Sequence, residues 1–361
     1  MKRILLVFTG GTIGSSVTGH TIDTDPQNAF RLIQLYRQNY DRSGEITFET
    51  CAPIEILSEN LFPSVWIEII TTIHARLAND PAFDGIVITH GTDTLAYTAC
   101  ALSFCFVQHL QIPLVRVSSN YPLTDARANG LDNFNTALEF ICQRSEPGVF
   151  VAYRNPNQTA KIHLGSRLLS CLPLSGDFIS VQSKTYLEFN GHDLTVLNPC
   201  PPQLENKSPT LPTNVQFSTR ILLIRPYPGL NYAQFNLQNI DVVLHDLYHF
   251  GTACVTTRWG DNYSLIHFLE KCRQVAIPVY LAPAAYTIDT YSSTQALLTQ
   301  GVQIIWNMSL EATYVKLLLA YGNFTDASSR QSFLNQNIAN EQIEITINNV
   351  NPYSCAFQGK T

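Results

Sequence analysis

Short apolar runs alternate along this chain with longer stretches whose apolar residues recur every three or four positions. Ile4-Leu5-Leu6-Val7-Phe8, Gly85-Ile86-Val87-Ile88 and Pro113 to Val117 are short, with almost no polar alternation, the pattern of strands covered on both faces. Helical patterns lie between and after them: Pro26 to Tyr36, Pro63 to about Ala78, an Ala-, Leu- and Phe-rich run ending near His109, and Ala128 to Cys142. Thr47 to Leu57 and Gly148 to Tyr153 read as extended, and Ser15 to Asp25 as a polar loop. This alternation predicts a mainly parallel sheet with helices on both faces.

From Ser180 to Leu197 the pattern is patchier and more β-like. Five prolines between Asn198 and Pro212 then mark a linker. A second, shorter series follows, with strands at Arg220–Ile224, Asp241–Leu244, Val279–Ala282 and Val302–Trp306 and helices at Ser264–Gln274 and Ser309–Tyr321. The expected fold is α/β in two α/β domains: a larger N-terminal, mainly parallel, doubly wound sheet (1–200), a proline-rich linker (201–215), and a smaller C-terminal parallel-sheet domain (216–361). The tail past Gln331 is polar, with one strand-like run from Gln342 to Ile347.

Composition narrows the classes. A chain of 361 residues, 45% hydrophobic and only 14% charged, has the material for large cores and a buried subunit surface. A formal charge of −6 without a basic stretch argues against nucleic acid as a partner. No stretch approaches the roughly 20 apolar residues of a membrane span, and the run after Met1-Lys2-Arg3 is shorter than the ~7–15 residues of a secretory core. A cytoplasmic protein with no membrane contact is expected. The nine cysteines contain no Cys-x-x-Cys pair and read as free thiols; the nine histidines are scattered. No metal or cofactor is expected.

Two segments carry the chemistry. Thr9-Gly10-Gly11-Thr12-Ile13-Gly14 follows the first buried strand, and Thr89-His90-Gly91-Thr92-Asp93-Thr94 follows the strand at 85–89. Both set threonines on glycine-containing turns at carboxyl ends of strands, where ligands bind in open α/β sheets. A threonine hydroxyl is a weak nucleophile and needs a neighbouring base or cation. Asp93 suits the ammonium of an amino-acid substrate, and N–H groups around Gly91 and Thr92 suit an oxyanion or a carboxylate.

In that order and at that distance, the two motifs resemble the bacterial-type L-asparaginase/glutaminase family. Ala96-Tyr97-Thr98-Ala99 and the residues to Phe104 bring the chain closer to the cytoplasmic type I branch. Tyr227-Pro228-Gly229 and Met308 to Thr313 extend the resemblance to about residue 320. It implies hydrolysis of the side-chain amide of asparagine, or glutamine, without cofactor or metal. By resemblance Thr12 is the nucleophile, and Thr92, Asp93 and a downstream lysine act beside it. Lys161, the sole lysine between Lys2 and Lys184, takes that place. Gly11, Ser58, Glu59, Gly91 and Ser118 are the implied substrate-binding residues. A homodimer or homotetramer is implied, with Glu311 or Thr252 reaching a neighbour's pocket.

The chain departs from the family pattern in several places. The loop after the first motif lacks the tyrosine that assists the first threonine, and His20 stands there. The third motif turn reads Ser118-Ser119-Asn120, and Gln158 replaces an arginine three residues before Lys161. A catalytically weakened protein that binds or senses asparagine or aspartate is the alternative these departures imply. The ammonia-supplying component of a tRNA-dependent amidotransferase is a further rival; the resemblance gives it an additional amino-terminal domain, and the net charge does not suit tRNA.

Overall fold

The computed structural model describes residues 1–18, 21–24, 27–80, 82–107, 109–199, 211–286 and 290–343. The first unit contains β1 (Lys2–Val7), a hairpin of β2 (Ser15–Thr18) and β3 (Thr21–Thr24), α1 (Gln27–Asn39), β4 (Ile46–Cys51), α2 (Pro63–Asn79), β5 (Gly85–Thr89), α3 (Leu95–Phe106), β6 (Pro113–Val117), α4 (Gly130–Gln143), β7 (Gly148–Arg154), β8 (Ala160–Leu164), β9 (Leu187–Phe189) and β10 (Leu194–Val196). The second contains β11 (Ile221–Ile224), β12 (Val242–His245), α5 (Leu265–Gln274), β13 (Val279–Ala284), α6 (Ser292–Thr299), β14 (Gln303–Trp306), α7 (Leu310–Asn323) and α8 (Ala327–Asn335).

The large sheet has eight strands in the order β10-β9-β8-β7-β6-β5-β1-β4, and the small sheet four in the order β11-β12-β13-β14. Strands β4, β1, β5, β6 and β7 run parallel, as do all four of the small sheet. Strands β8 to β10 add to the large sheet antiparallel, which is why their sequence reads as patchy β rather than as part of the strand–helix alternation. Leu5 and Val7 of β1 face a core with α2 and α3, and Ile4 and Leu6 face one with α1 and α4. The doubly wound α/β expectation is met.

Helix α3 is buried nearly all round, as a helix with no polar stripe must be. One face lies on the large sheet and another meets α7, so the first core continues into Val242 and Leu244 of the small sheet. The polar stretch read as a loop forms the β2–β3 hairpin. Helix α8 lies in the tail that reads as polar, and the strand-like run there falls from residue 344 onward outside the described residues. Among the described residues no helix is long and apolar enough to cross a membrane.

Candidate functional site

Strands β1 and β5 are neighbours and parallel, so the turns that follow them meet at one edge. Gly10 and Gly11 have φ of +87° and +77°, where glycine is at ease. A Cβ on Gly11 would lie 2.5 Å from the Gly91 Cα, so the two turns touch backbone to backbone. Gly11 N–H donates to the Ile56 carbonyl (3.1 Å), which draws in the segment ending at Ser58. A Cβ on Gly91 would in turn lie 2.6 Å from the Ser58 Cβ. Three separate pieces of sequence are therefore in contact because Gly11 and Gly91 carry no side chain between them.

Ser58 is buried and joins the turns electrostatically. Its Oγ donates to Asp93 Oδ2 (3.0 Å) and accepts from the Asp93 N–H (3.3 Å), and its carbonyl accepts from Thr94 Oγ1 (2.9 Å). Thr12 and Thr92 are half-buried, and neither hydroxyl has a hydrogen-bond partner among the described residues. Behind them lies a relay. Trp66 Nε1 donates to Thr98 Oγ1 (2.9 Å), Thr98 faces His90 Nε2 (3.1 Å), and His90 Nδ1 faces the Gly91 carbonyl (2.7 Å). Burial, and then the charge of Arg116, drive the His90 pKa well below its usual value. The imidazole is neutral, and its Nδ1–H donates to Gly91. Arg116 on β6 is itself fully buried, its three guanidinium nitrogens have no hydrogen-bond partner among the described residues, and burial pushes it down to about 9.

Lys161 is the second residue of β8, three strands from β5 in the sheet. Its Nζ donates to Gln158 Oε1 (3.1 Å), in the turn between β7 and β8. Among the described residues Asp93 has no ion-pair partner. Ser118 is fully buried; its carbonyl accepts from Asn133 Nδ2 (2.8 Å), and its Oγ has no hydrogen-bond partner among the described residues. Glu59 is exposed beside Ser58. His20 lies outside the described residues.

The segment after β8 carries Cys171, whose thiol is pushed up to about 11 by burial and then by the Asp93 charge. Beside it, Glu311 of α7 accepts from Ser170 N–H (2.9 Å) and Ser170 Oγ (2.6 Å). Glu311 is 6% exposed, with its carboxylate on Ser170 of its own chain. Sequence reasoning does not find Ser170, Cys171 or this role of Glu311. They are ordinary residue types in an irregular segment, paired across 141 positions.

Residues 3–172 match the family model described as Asparaginase, N-terminal. The L-asparaginase of Thermococcus kodakarensis is 26% identical over 344 residues, covering 94% of this chain and 98% of that protein. The solved thermostable L-asparaginase of the same organism aligns with a TM-score of 0.75 over 95% of this chain and 100% of that one. L-asparaginase I of Vibrio cholerae shares the fold at TM-score 0.75 and 22% identity, over 95% and 99% of the two chains. One component of a glutamyl-tRNA(Gln) amidotransferase, from Methanosphaera stadtmanae, is likewise 26% identical over 353 residues, covering 94% of this chain and 76% of that protein.

Proposed function

We infer that this chain, which belongs to the asparaginase family through its amino-terminal domain, is an amidohydrolase that releases ammonia from the side-chain amide of L-asparagine or L-glutamine. The observation that carries this reading is the contact of the Gly11 and Gly91 backbones, which sets two uncommitted threonine hydroxyls on adjoining turns. In this reading Thr12 Oγ attacks the amide carbon; its bond to that carbon forms, the C–N bond breaks, and ammonia leaves with the hydroxyl proton. Water then attacks the ester, releasing the carboxylate and restoring Thr12. Thr92 orients that water. N–H groups at the amino end of α3 stabilise the tetrahedral oxyanion, and Asp93, fixed by Ser58, takes the substrate ammonium. The relatives include both L-asparaginases and components of tRNA-dependent amidotransferases, so the likeness supports the amide chemistry more than the amino acid around it.

A second reading is favoured by one feature: no cation stands beside Asp93 among the described residues. It makes the chain a binding protein for asparagine or aspartate with little turnover. Ammonia release from L-asparagine, L-glutamine and their D-isomers separates the two, with Thr12→Ala as the blank and titration calorimetry with L-aspartate in parallel. Turnover that Thr12→Ala lowers by at least ~10²-fold is the expected outcome. Turnover unchanged in Thr12→Ala removes the nucleophile from this account, and aspartate binding without turnover selects the second reading.

A further inference from the structure

Strand β6 carries one charge in a run that is otherwise apolar. Its residues alternate between faces: Val115 and Val117 lie in the core with α4, and Leu114 in the core with α2 and α3. Arg116 therefore shares the α3 face with Leu114. In the sheet it stands between Ile88 of β5 and Val151 of β7, and Val151 is paired in turn with His163 of β8. The next residue on that face is Ser118, beside His90, whose N–H donates to the Val117 carbonyl (2.9 Å). Arg116, Ser118 and His163 are all buried. Among the described residues, Arg116 Nε, Nη1 and Nη2, Ser118 Oγ and His163 Nε2 have no hydrogen-bond partner. One covered face of the sheet thus gathers a whole guanidinium, a hydroxyl and an imidazole nitrogen that the fold leaves unpaired.

The elements packed over this face offer no counter-charge. Helix α3 presents the small side chains of Ala96 and Ala99 to Val151 and Tyr153, and its Cys100 donates to the Gly165 carbonyl (3.6 Å). No carboxylate lies within ion-pair distance of Arg116 among the described residues. The guanidinium nevertheless stays charged at neutral pH, since burial lowers it only to about 9. A buried charge without partners is among the costliest arrangements in a protein, and an apolar side chain would fill the position without that cost. Water answers the N–H groups but not the charge, whereas an anion answers both. A guanidinium has only donors to offer, and the hydroxyl beside it adds another. Full burial sets the size: the position suits a chloride-sized ion, not an amino acid with its own ammonium and side chain.

We propose that Arg116 and Ser118 form a buried site for a small monovalent anion of the halide class, between the large sheet and α3. The inference does not depend on the amidohydrolase reading. Its place is behind the second glycine turn: His90, in the same row as Ser118, meets the Gly91 carbonyl through Nδ1 (2.7 Å). The anion neutralises the one charge in this layer and so stabilises the folded chain by binding it and not the unfolded one.

The test uses the full chain, purified and dialysed in sodium gluconate and then moved to sodium chloride or sodium bromide at equal ionic strength. Gluconate is too large to enter the site. The melting temperature is expected to be about 3 °C higher in either halide than in gluconate and to climb with the logarithm of halide concentration. Crystals grown in bromide are expected to show an anomalous peak in contact with the Arg116 guanidinium and Ser118 Oγ. Arg116→Met, which keeps the length of the side chain and removes its charge, is expected to melt at the same temperature in all three salts. Equal melting of the wild-type chain in the three salts overturns the proposal. So does a halide shift that survives in Arg116→Met, because it marks a general salt effect. Bromide found at Arg116 in the crystal without any shift in melting is binding at crystal concentration only, and overturns it as well. If Arg116→Met does not fold, Ser118→Ala decides: it keeps the guanidinium and is expected to lessen the halide shift, and an unchanged shift counts against the site.

Discussion

On one side of the site, Thr12, Ser58 and the Gly91–Thr94 turn are held by contacts that their own motifs supply: glycine against glycine, and a serine hydroxyl on the backbone and carboxylate of Asp93. On the other side, Ser166, Arg167 and Ser170 are held by residues 141 to 175 positions away. The first wall has little freedom, since a single methyl group would part the turns. The second is set by how α7 and the segment after α8 seat on α3. A site built this way can keep its nucleophile turn while the groups opposite change.

The contrast is broken most directly at Gly11. Gly11→Ala puts a Cβ on the Gly91 backbone at a positive φ, and is expected to cost roughly 3 kcal/mol or more of stability together with all turnover. A thermal melt and an ammonia assay check it; a stable, active variant would mean the two turns are not locked. Ser58→Ala leaves the turns in contact but frees Asp93. It is expected to lower kcat/KM by about tenfold to a hundredfold while the melting temperature stays within a few degrees, and loss of the fold instead would make Ser58 part of the scaffold.

Acid tests both walls together. His90 stands behind the first and His163, against Ser180, near the second; burial lowers both, His163 to about 3. His245, against Tyr232 in the small sheet's core, is lowered to about 4. Each is neutral when folded but takes a proton near pH 6.5 when unfolded. The stability they allow is therefore complete above pH 6.5 and lost as pH falls toward 4, by about 1.4 kcal/mol per pH unit for each histidine. Denaturant unfolding at pH 7, 6, 5 and 4 reads this slope, and a flat profile would mean these imidazoles are solvated. The smallest effect is expected at Lys161: Lys161→Met should leave kcat/KM within about twofold, since its ammonium serves only Gln158. A loss of tenfold or more would bring Lys161 back to Asp93.

Much of the architecture is legible in the sequence because it rests on local patterns. The runs at Ile4–Phe8, Gly85–Ile88 and Pro113–Val117 are buried strands, and Pro63 starts α2 where a proline is tolerated. The antiparallel edge of β8 to β10 is harder to read, because strands this short carry little hydrophobic period. Lys161 is a related case. It is the only lysine in a long stretch, and spacing along the chain points to it, yet the short β7–β8 turn spends its ammonium on Gln158 and begins the next strand at once.

By itself, then, the sequence determined the strand-and-helix alternation, the glycine turns after β1 and β5, and the threonines they carry, because backbone period and positive φ are properties of a few adjacent residues. The tertiary structure alone decided what faces those threonines. Strand order sets Lys161 on β8, three strands from β5, where its ammonium meets Gln158. The packing of α7 on α3 brings Glu311 to Ser170 across 141 positions, a contact that no local pattern encodes.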